Sequence, residues 1–531
     1  MRVLKFVAYQ MNKMNKRFYF PLLFAFALVL GIFMGASLSN QIPPERLRKL
    51  DEILSLVDKK YVDKISWDTL LPQAINQMLH SMDPHSSYLT KAEAQREGEL
   101  IQGSFGGVGI RFQIIRDTVC VIHANADGPS FRAGVRDGDR ILMVDNKGFV
   151  GPTITNEKVL SALKGPEGTL VSITVKRGNK RLSFKINRGQ IKLYSVPVGY
   201  MLNASIGYIK IEQFSLKTHE EFQTMAMKLL SQGMKGLVLD LRGNPGGIMN
   251  DAIKVADEFL PHGETIVSTK GKRINETVKA TKEVGLLEHI RLVVLMDENS
   301  ASASEIVAGA IQDNDRGTLL GRRTFGKGLV QEEQRLSDGS TLRLTIARYY
   351  TPSGRCIQKA FNGNMGDYIK DHEARINKGE LYYKDSMFID KSLTYKTKKG
   401  RLVYGGGGII PDVFIPLPIM NPSPLMTRLY FSEAISAYVF DDLQGNRTPW
   451  RTINELNAYV FTDLEITRLL RYVGTVYGIN TTAEEKVANG AELKRRLKEE
   501  YARQLWERDG IYKIQNGESK EINEAIKILL R

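Results

Sequence analysis

At 531 residues the chain exceeds one compact core, so two to four domains are expected. Hydrophobic residues at 42% and charged residues at 25% exclude a largely disordered or low-complexity protein. The net charge of +15 raises nucleic acid or anionic membrane as partners, but no basic block interleaved with aromatics and no zinc or helix-turn-helix spacing is present, so nucleic acid is not expected. Cys120 and Cys356 stand far apart and the seven histidines are scattered without an H-E-x-x-H spacing, so neither a disulfide framework nor a metal site is expected, and the serine and lysine chemistry read below calls for no cofactor.

Lys5, Lys13, Lys16 and Arg17 precede an apolar run from Phe18 to Leu38, about 20 residues and enough to cross ~30 Å of hydrocarbon. The positive-inside rule keeps the basic flank in the cytoplasm and sends everything after Asn40 outward. Residues 1–40 therefore read as a flank and single-pass transmembrane signal anchor in the inner membrane, with the body on the periplasmic or extracytoplasmic side. A signal peptide cleaved near Ser37-Leu38-Ser39 is the competing reading and exports the same body.

Residues 41–100 read as helical, because Leu47, Leu50, Ile53, Leu54 and Val57 recur at three and four and Leu70 to Leu79 continue the pattern until Asp83-Pro84 breaks it. Residues 101–190 read as a small β-rich module, with short runs such as Val119-Cys120-Val121-Ile122, Ile141 to Val144 and Leu170 to Val175 between turn signals. Across 191–420 strands and helices alternate, with Gly236 to Leu241 and Leu292 to Met296 each preceding a helix, which predicts an α/β layered core. Within it, the polar, lysine-rich stretch 362–401 reads as an insertion or lid. Residues 421–531 turn helical over Leu425 to Leu443, Ile453 to Val476 and Ala483 to Asp509, a tail that packs on the core, makes a homo-oligomer, or both.

In the β module, Phe105-Gly106-Gly107-Val108-Gly109-Ile110 sets glycines directly before a strand, where consecutive N–H groups can turn toward an anion. Downstream, the stretch from Gly128 through Arg132-Ala133-Gly134 and Asp137-Gly138-Asp139 to Val144 resembles the centre of PDZ domains. That resemblance implies that Phe105, Gly106, Gly107, Val108, Gly109 and Ile110 receive the terminal carboxylate of a peptide added to the sheet edge, with an apolar last side chain.

Three blocks of the core carry chemistry. Asp297 to Ile306 follows an apolar strand and opens a helix. Ser302 with Glu305 fits a capping box, yet serines spaced by alanines leave room for a substrate backbone, and a helix start offers N–H groups for an oxyanion. Thr324 to Gln331 supplies Lys327 between two glycines, where burial disfavours the ammonium and leaves an amine able to take a proton. If this stretch is extended, residues 327, 329 and 331 share a face, and Gln331 can orient the amine. The turn Leu239 to Gly247 can present an N–H to a tetrahedral oxygen, and with no Lys-Ser/Thr following, a phosphate loop is not expected.

In this order behind the PDZ-like module, L-D-L-R-G-N-P-G-G, S-A-S-A-S-E-I and T-F-G-K-G-L-V-Q resemble the carboxy-terminal processing peptidases, also called tail-specific proteases. The similarity runs from about Leu47 to Pro418 and includes Gly406 to Asp412. It implies a layered, hydratase- or Clp-like protease core with an inserted PDZ domain, an N-terminal helical lead-in and a helical tail. It also implies a serine endopeptidase that recognises the carboxy termini of exported, unfolded or precursor proteins and cleaves through an acyl-enzyme. The family's nucleophile-to-lysine spacing selects Ser302 over Ser300 and Ser304. Lys327 becomes the general base, Gln331 its orienting group, Ala303 and Gly246 the oxyanion donors with Gly247 as substitute, and Asp313 a structural acid. The rival readings are a PDZ scaffold that binds chain ends without cutting them and an acyl-CoA enzyme on a related layered core.

Overall fold

The computed structural model describes residues 24–31, 44–281, 283–387, 389–419, 423–445 and 449–531. Two compact units divide the chain, Met1–Ala74 and Ile75–Arg531. In the first, residues 24–31 are helical and exposed, and the rest of the expected 18–38 anchor lies outside the described residues. No described helix is long and apolar enough to cross a membrane. Helix α1 (Pro44–Lys60) carries Glu45 in its first turn and Lys59 and Lys60 in its last, each sign complementing the helix dipole. Helix α2 (Trp67–His80) leads on into the second unit.

There a short strand, β1 (Ser87–Leu89), precedes α3 (Lys91–Gln102), which opens on a Thr90/Glu93 capping box and stops at Gly103 in the left-handed region. The turn between α2 and β1 is wound around Asp83, which accepts from the N–H groups of His85 and Ser86 and from Ser86 Oγ.

The β-rich module follows as β2 (Ser104–Gly107), β3 (Ile110–Ile115), β4 (Thr118–Ala124), α4 (Pro129–Ala133), β5 (Arg140–Val144), β6 (Lys147–Gly148), α5 (Asn156–Leu163), β7 (Leu170–Arg177), β8 (Lys180–Asn187) and β9 (Gly189–Lys192). Its sheet runs β3-β4-β5-β7-β8, so β3 is an edge strand among the described residues, while β2 and β9 pair as the ribbon at the module's base. Alternation decides which side chains enter its core: Val171, Ile173 and Val175 on β7 are buried while the residues between them are partly exposed.

The layered core contains β10 (Val198–Met201), β11 (Ile206–Lys210), α6 (Thr218–Ser231), β12 (Gly236–Asp240), α7 (Met249–Asp257), β13 (Thr265–Gly271), β14 (Asn275–Lys279), β15 (Arg291–Met296), α8 (Ala303–Asp313), β16 (Thr318–Gly321), β17 (Leu329–Arg335) and β18 (Thr341–Tyr350). The 362–401 stretch adds α9 (Met365–Asn377), β19 (Thr394–Lys396) and most of a hairpin closed by β20 (Leu402–Tyr404), and β21 (Val413–Phe414) completes the main sheet. That sheet runs β10-β11-β12-β15-β16-β21, parallel from β11 to β21, with residues of α6, α7 and α8 in the apolar cluster on one face. Fully buried strands such as Leu237-Val238-Leu239 and Val293-Val294-Leu295 follow from cover on both faces.

Beyond residue 423 come α10 (Pro424–Ser432), α11 (Ala434–Gly445), α12 (Ile453–Ala458), α13 (Asp463–Tyr477), α14 (Ala483–Glu518) and α15 (Lys520–Leu530). Most of them pack on one another around Trp450, Phe461 and Tyr501. Helix α14 breaks at Trp506 and Glu507, and α15 lays Ile522, Ala525 and Leu529 under the main sheet against Val238, Val293, Leu295 and Leu320. The tail is thus also the second covering layer of the core. The same helices grip the β-rich module: Asp441 accepts from Arg116, Arg140 and the Tyr472 hydroxyl, and Ala437 and Phe440 pack on Ile115 and Cys120.

Candidate active site

Adjacent parallel strands discharge their C-terminal ends into the same place, which is where an open α/β sheet presents its chemistry. Strand β12 runs into the turn Gly243–Gly247 and its neighbour β15 into the loop before α8. The two loops are stitched together: Gly243 N–H donates to Asp297 Oδ1 at 2.8 Å, Ala301 N–H to the Asn244 carbonyl at 3.0 Å, and Ser300 Oγ to the Leu241 carbonyl at 2.8 Å.

This stitching sorts the three serines. Ser300 and Ser304 are buried and donate to backbone carbonyls of the glycine turn, Ser304 to Asn244 at 3.0 Å. Ser302 is partly exposed, precedes α8, and holds φ 54 and ψ −114, a conformation strained for a residue with a β-carbon. Gly246 lies against it. A β-carbon at 246 would stand 2.7 Å from Ser302 Cβ and 3.0 Å from Ala303 N, and its φ of 101 favours glycine independently.

Two N–H groups here have no protein acceptor among the described residues, those of Ala303 and Gly247. The Gly246 N–H, expected from the sequence as a donor, instead donates to Asn244 Oδ1 at 2.9 Å. A glycine at 247 is required because a β-carbon there would meet the Phe214 carbonyl oxygen at 2.0 Å.

Lys327 sits just before β17, and its Nζ donates to Gln331 Oε1 at 2.9 Å, not to the Ser302 hydroxyl. Gln331 Nε2 in turn donates to the His85 carbonyl at 2.5 Å. Burial, helped by the Arg343 charge, pulls the Lys327 amine down to about 8 against the opposing pull of Glu305, Asp83 and Glu97. The imidazole of His85 meets the Tyr368 hydroxyl of α9 at 2.8 Å, and burial together with the Lys327 charge pushes it down to about 3, so it is neutral.

The residue that joins these parts is Glu305, read from the sequence only as a helix cap. One of its oxygens accepts from the N–H of Ser302 at 2.8 Å and from the N–H of Lys327 at 2.9 Å. Its other oxygen accepts from Thr324 Oγ1 at 2.5 Å and Gly326 N–H at 2.8 Å. Complete burial raises its carboxyl to about 7 despite these four donors. Above it, the Tyr349 hydroxyl lies 3.0 Å from the Ser302 carbonyl and 2.5 Å from the Lys327 carbonyl. Backbone atoms at 302 and 327 are therefore held by the same carboxylate oxygen and the same phenol.

Around this centre, Asp313 pairs with Arg355 at 2.8 Å, both fully buried, and accepts from Ser353. From the inserted stretch, Arg375 donates to the carbonyls of Arg323 and Thr324 and pairs with Glu380, so α9 is tied to the segment leading into Lys327.

In the β-rich module, Phe105, Gly106 and Gly107 are strand residues paired with β9, Val108 and Gly109 form the loop, and Ile110 begins β3. The N–H groups of Val108 and Gly109 have no protein acceptor among the described residues although both residues are buried, while their carbonyls accept from Ser130 and Asn125. Buried N–H groups of this kind suit an anion.

Residues 205–367 match the model of peptidase family S41, and residues 106–187 match a PDZ domain. A carboxy-terminal-processing protease of Bartonella bacilliformis is 40% identical over 347 residues, 62% of this chain and 79% of that protein. A probable CtpA-like serine protease of Staphylococcus epidermidis is 33% identical over 320 residues, 60% of this chain and 64% of that protein. Among solved structures, a photosystem II D1 C-terminal processing protease shows 27% identity over 71% of this chain and 94% of its own, with a TM-score of 0.36. With an S41 core, a PDZ domain and this degree of identity, the chain belongs to peptidase family S41, as a carboxy-terminal-processing serine protease.

Proposed function

We propose that the protein captures the carboxy terminus of an unfolded or precursor protein at Val108 and Gly109 and cleaves the chain with Ser302 and Lys327. The observation that carries this reading is the desolvated Lys327 amine, drawn down to about 8, on a loop whose N–H shares one Glu305 oxygen with that of Ser302. In the described arrangement the amine rests on Gln331. For attack it turns to the Ser302 hydroxyl and takes its proton as the Oγ–carbon bond forms. The oxyanion then falls to the free N–H groups of Ala303 and Gly247. Gly246 takes the role of keeping that space open, since its own N–H is engaged. Collapse breaks the carbon–nitrogen bond, Lys327 protonates the departing amine, and water cleaves the ester by the same proton path in reverse.

The terminal carboxylate would receive the two N–H groups at 108 and 109 while the preceding residues extend the sheet at β3. The basic flank and apolar run at 18–38 support an anchor that places the catalytic body outside the cytoplasm, where exported chains are the substrates.

Purified protein and its Ser302→Ala, Lys327→Ala and Lys327→Arg variants are tested on an unstructured peptide with an apolar tail. All three variants are expected to lose at least about a thousandfold in kcat/KM, arginine included, because a guanidinium does not give up its proton. Equal cleavage by wild type and variants would leave the chain a binder of termini and not a protease of this mechanism.

A further inference from the structure

Strand β3 divides its side chains by the pleat. Ile110, Phe112 and Ile114 pack toward the domain's own core. Arg111, Gln113 and Ile115 turn to the helical region: Arg111 Nη2 donates to the Arg503 carbonyl at 2.9 Å, Ser436 Oγ donates to Gln113 Oε1 at 2.6 Å, and Ile115 packs with Ala437 and Phe440. The far side of β3 is an unpaired edge among the described residues.

The N–H groups at Val108 and Gly109 set the register for a peptide on that edge. With its carboxylate there, an antiparallel chain places its last residue opposite Ile110 and its fourth-from-last residue opposite Gln113. Opposed residues in such a pair project to the same face with β-carbons about 5 Å apart. That fourth side chain therefore joins Gln113 on the face that meets the helical region. The group waiting there is Glu433, whose Oε2 accepts from Gln113 Nε2 at 3.5 Å. Glu433 is exposed and has no ion pair among the described residues. It also holds φ 54 between α10 and α11, at a helix end where glycine would be unstrained.

We propose that Glu433 is a specificity-determining residue of the peptide groove, selecting lysine or arginine at the fourth position from the substrate's carboxy terminus. Recognition then reaches past the PDZ domain into the helical region. This inference rests on carboxylate capture at Val108 and Gly109.

The test uses full-length Ser302→Ala protein and fluorescein-labelled decapeptides with an apolar last residue, differing only in Lys, Ala or Glu at the fourth position from the end, each also made as the carboxy-terminal amide. Fluorescence anisotropy is expected to show the Lys peptide binding about fivefold tighter than the Glu peptide, the scale of an exposed ion pair gained against a like-charge contact. Glu433→Gln should abolish this preference and Glu433→Lys reverse it, with amides binding poorly throughout. Acid-dependent binding that ignores the fourth residue, or an order unchanged by Glu433→Lys, would overturn the role of Glu433 and leave carboxylate capture standing. Binding indifferent to amidation, or no binding, would remove carboxylate capture itself, and the proposed selectivity with it.

Discussion

In the mechanism proposed above, Lys327 must shed a proton before it can accept one from Ser302, so the fraction of neutral amine would govern the rate. With the amine at about 8, kcat/KM should rise about tenfold per pH unit below that value and level off above it, which a pH–rate profile on one peptide would show. Glu305 works in the opposite direction on stability. Its folded carboxyl lies at about 7 against an ordinary 4.5, so the folded protein holds that proton more tightly than the unfolded chain. The resulting stabilisation is fully present below about 4.5 and disappears as pH rises through about 7, amounting to about 3 kcal/mol at most. Urea midpoints of wild type and Glu305→Gln between pH 5 and 8 should differ in slope, with the variant flatter. The same variant should also cleave more slowly, because an amide cannot accept all four of the hydrogen bonds that the carboxylate receives.

At the scale of elements, the glycine turn after β12 serves as a spacer. Gly246→Ala is expected to cut kcat by about a hundredfold or more while moving the thermal midpoint by only a few degrees, since the new methyl enters the space beside Ala303 N–H and leaves the core untouched. Crystallographic or calorimetric evidence of a collapsed core in that variant would contradict this. The turn, the strand–helix junction at Ser302 and the PDZ strands are all legible in the sequence, because glycine clusters and β-branched runs are local signals. Four features are not. Strand β1 is three residues long and follows a helical pattern, so periodicity passes over it. The run Leu425 to Leu443 reads as one helix, but Glu433 breaks it in a conformation that no side chain advertises. Glu305 satisfies a local capping motif completely, and its bonds to Gly326 and Lys327 depend on a fold that brings together residues 21 and 22 positions apart. His85 escapes for the same reason: the sequence shows a helix-breaking Asp83-Pro84, and only the pairing of β1 with β18 carries the next residue to Gln331.

At the scale of the molecule, the stretch 191–420 does not hold all of its own core. One face of its main sheet is covered by α15, where Ile522 and Leu529 are almost wholly buried. Ile522→Ala and Leu529→Ala should each cost about 2–5 kcal/mol, and removing residues 520–531 should leave an aggregating protein without activity, as chemical denaturation and light scattering would report. A soluble, active truncation would show that the sheet needs no such cover. The position of α15 also has a consequence in time. Of strands β11 to β16, even the last, β16, leaves the ribosome about 200 residues ahead of it, which at ~5–20 residues per second is roughly 10–40 s. For that interval the nascent sheet lacks its floor, and the loops at its rim that carry the proposed catalytic residues have no finished core to rest on. The order of synthesis thus delays the completed core until α15 itself has been made.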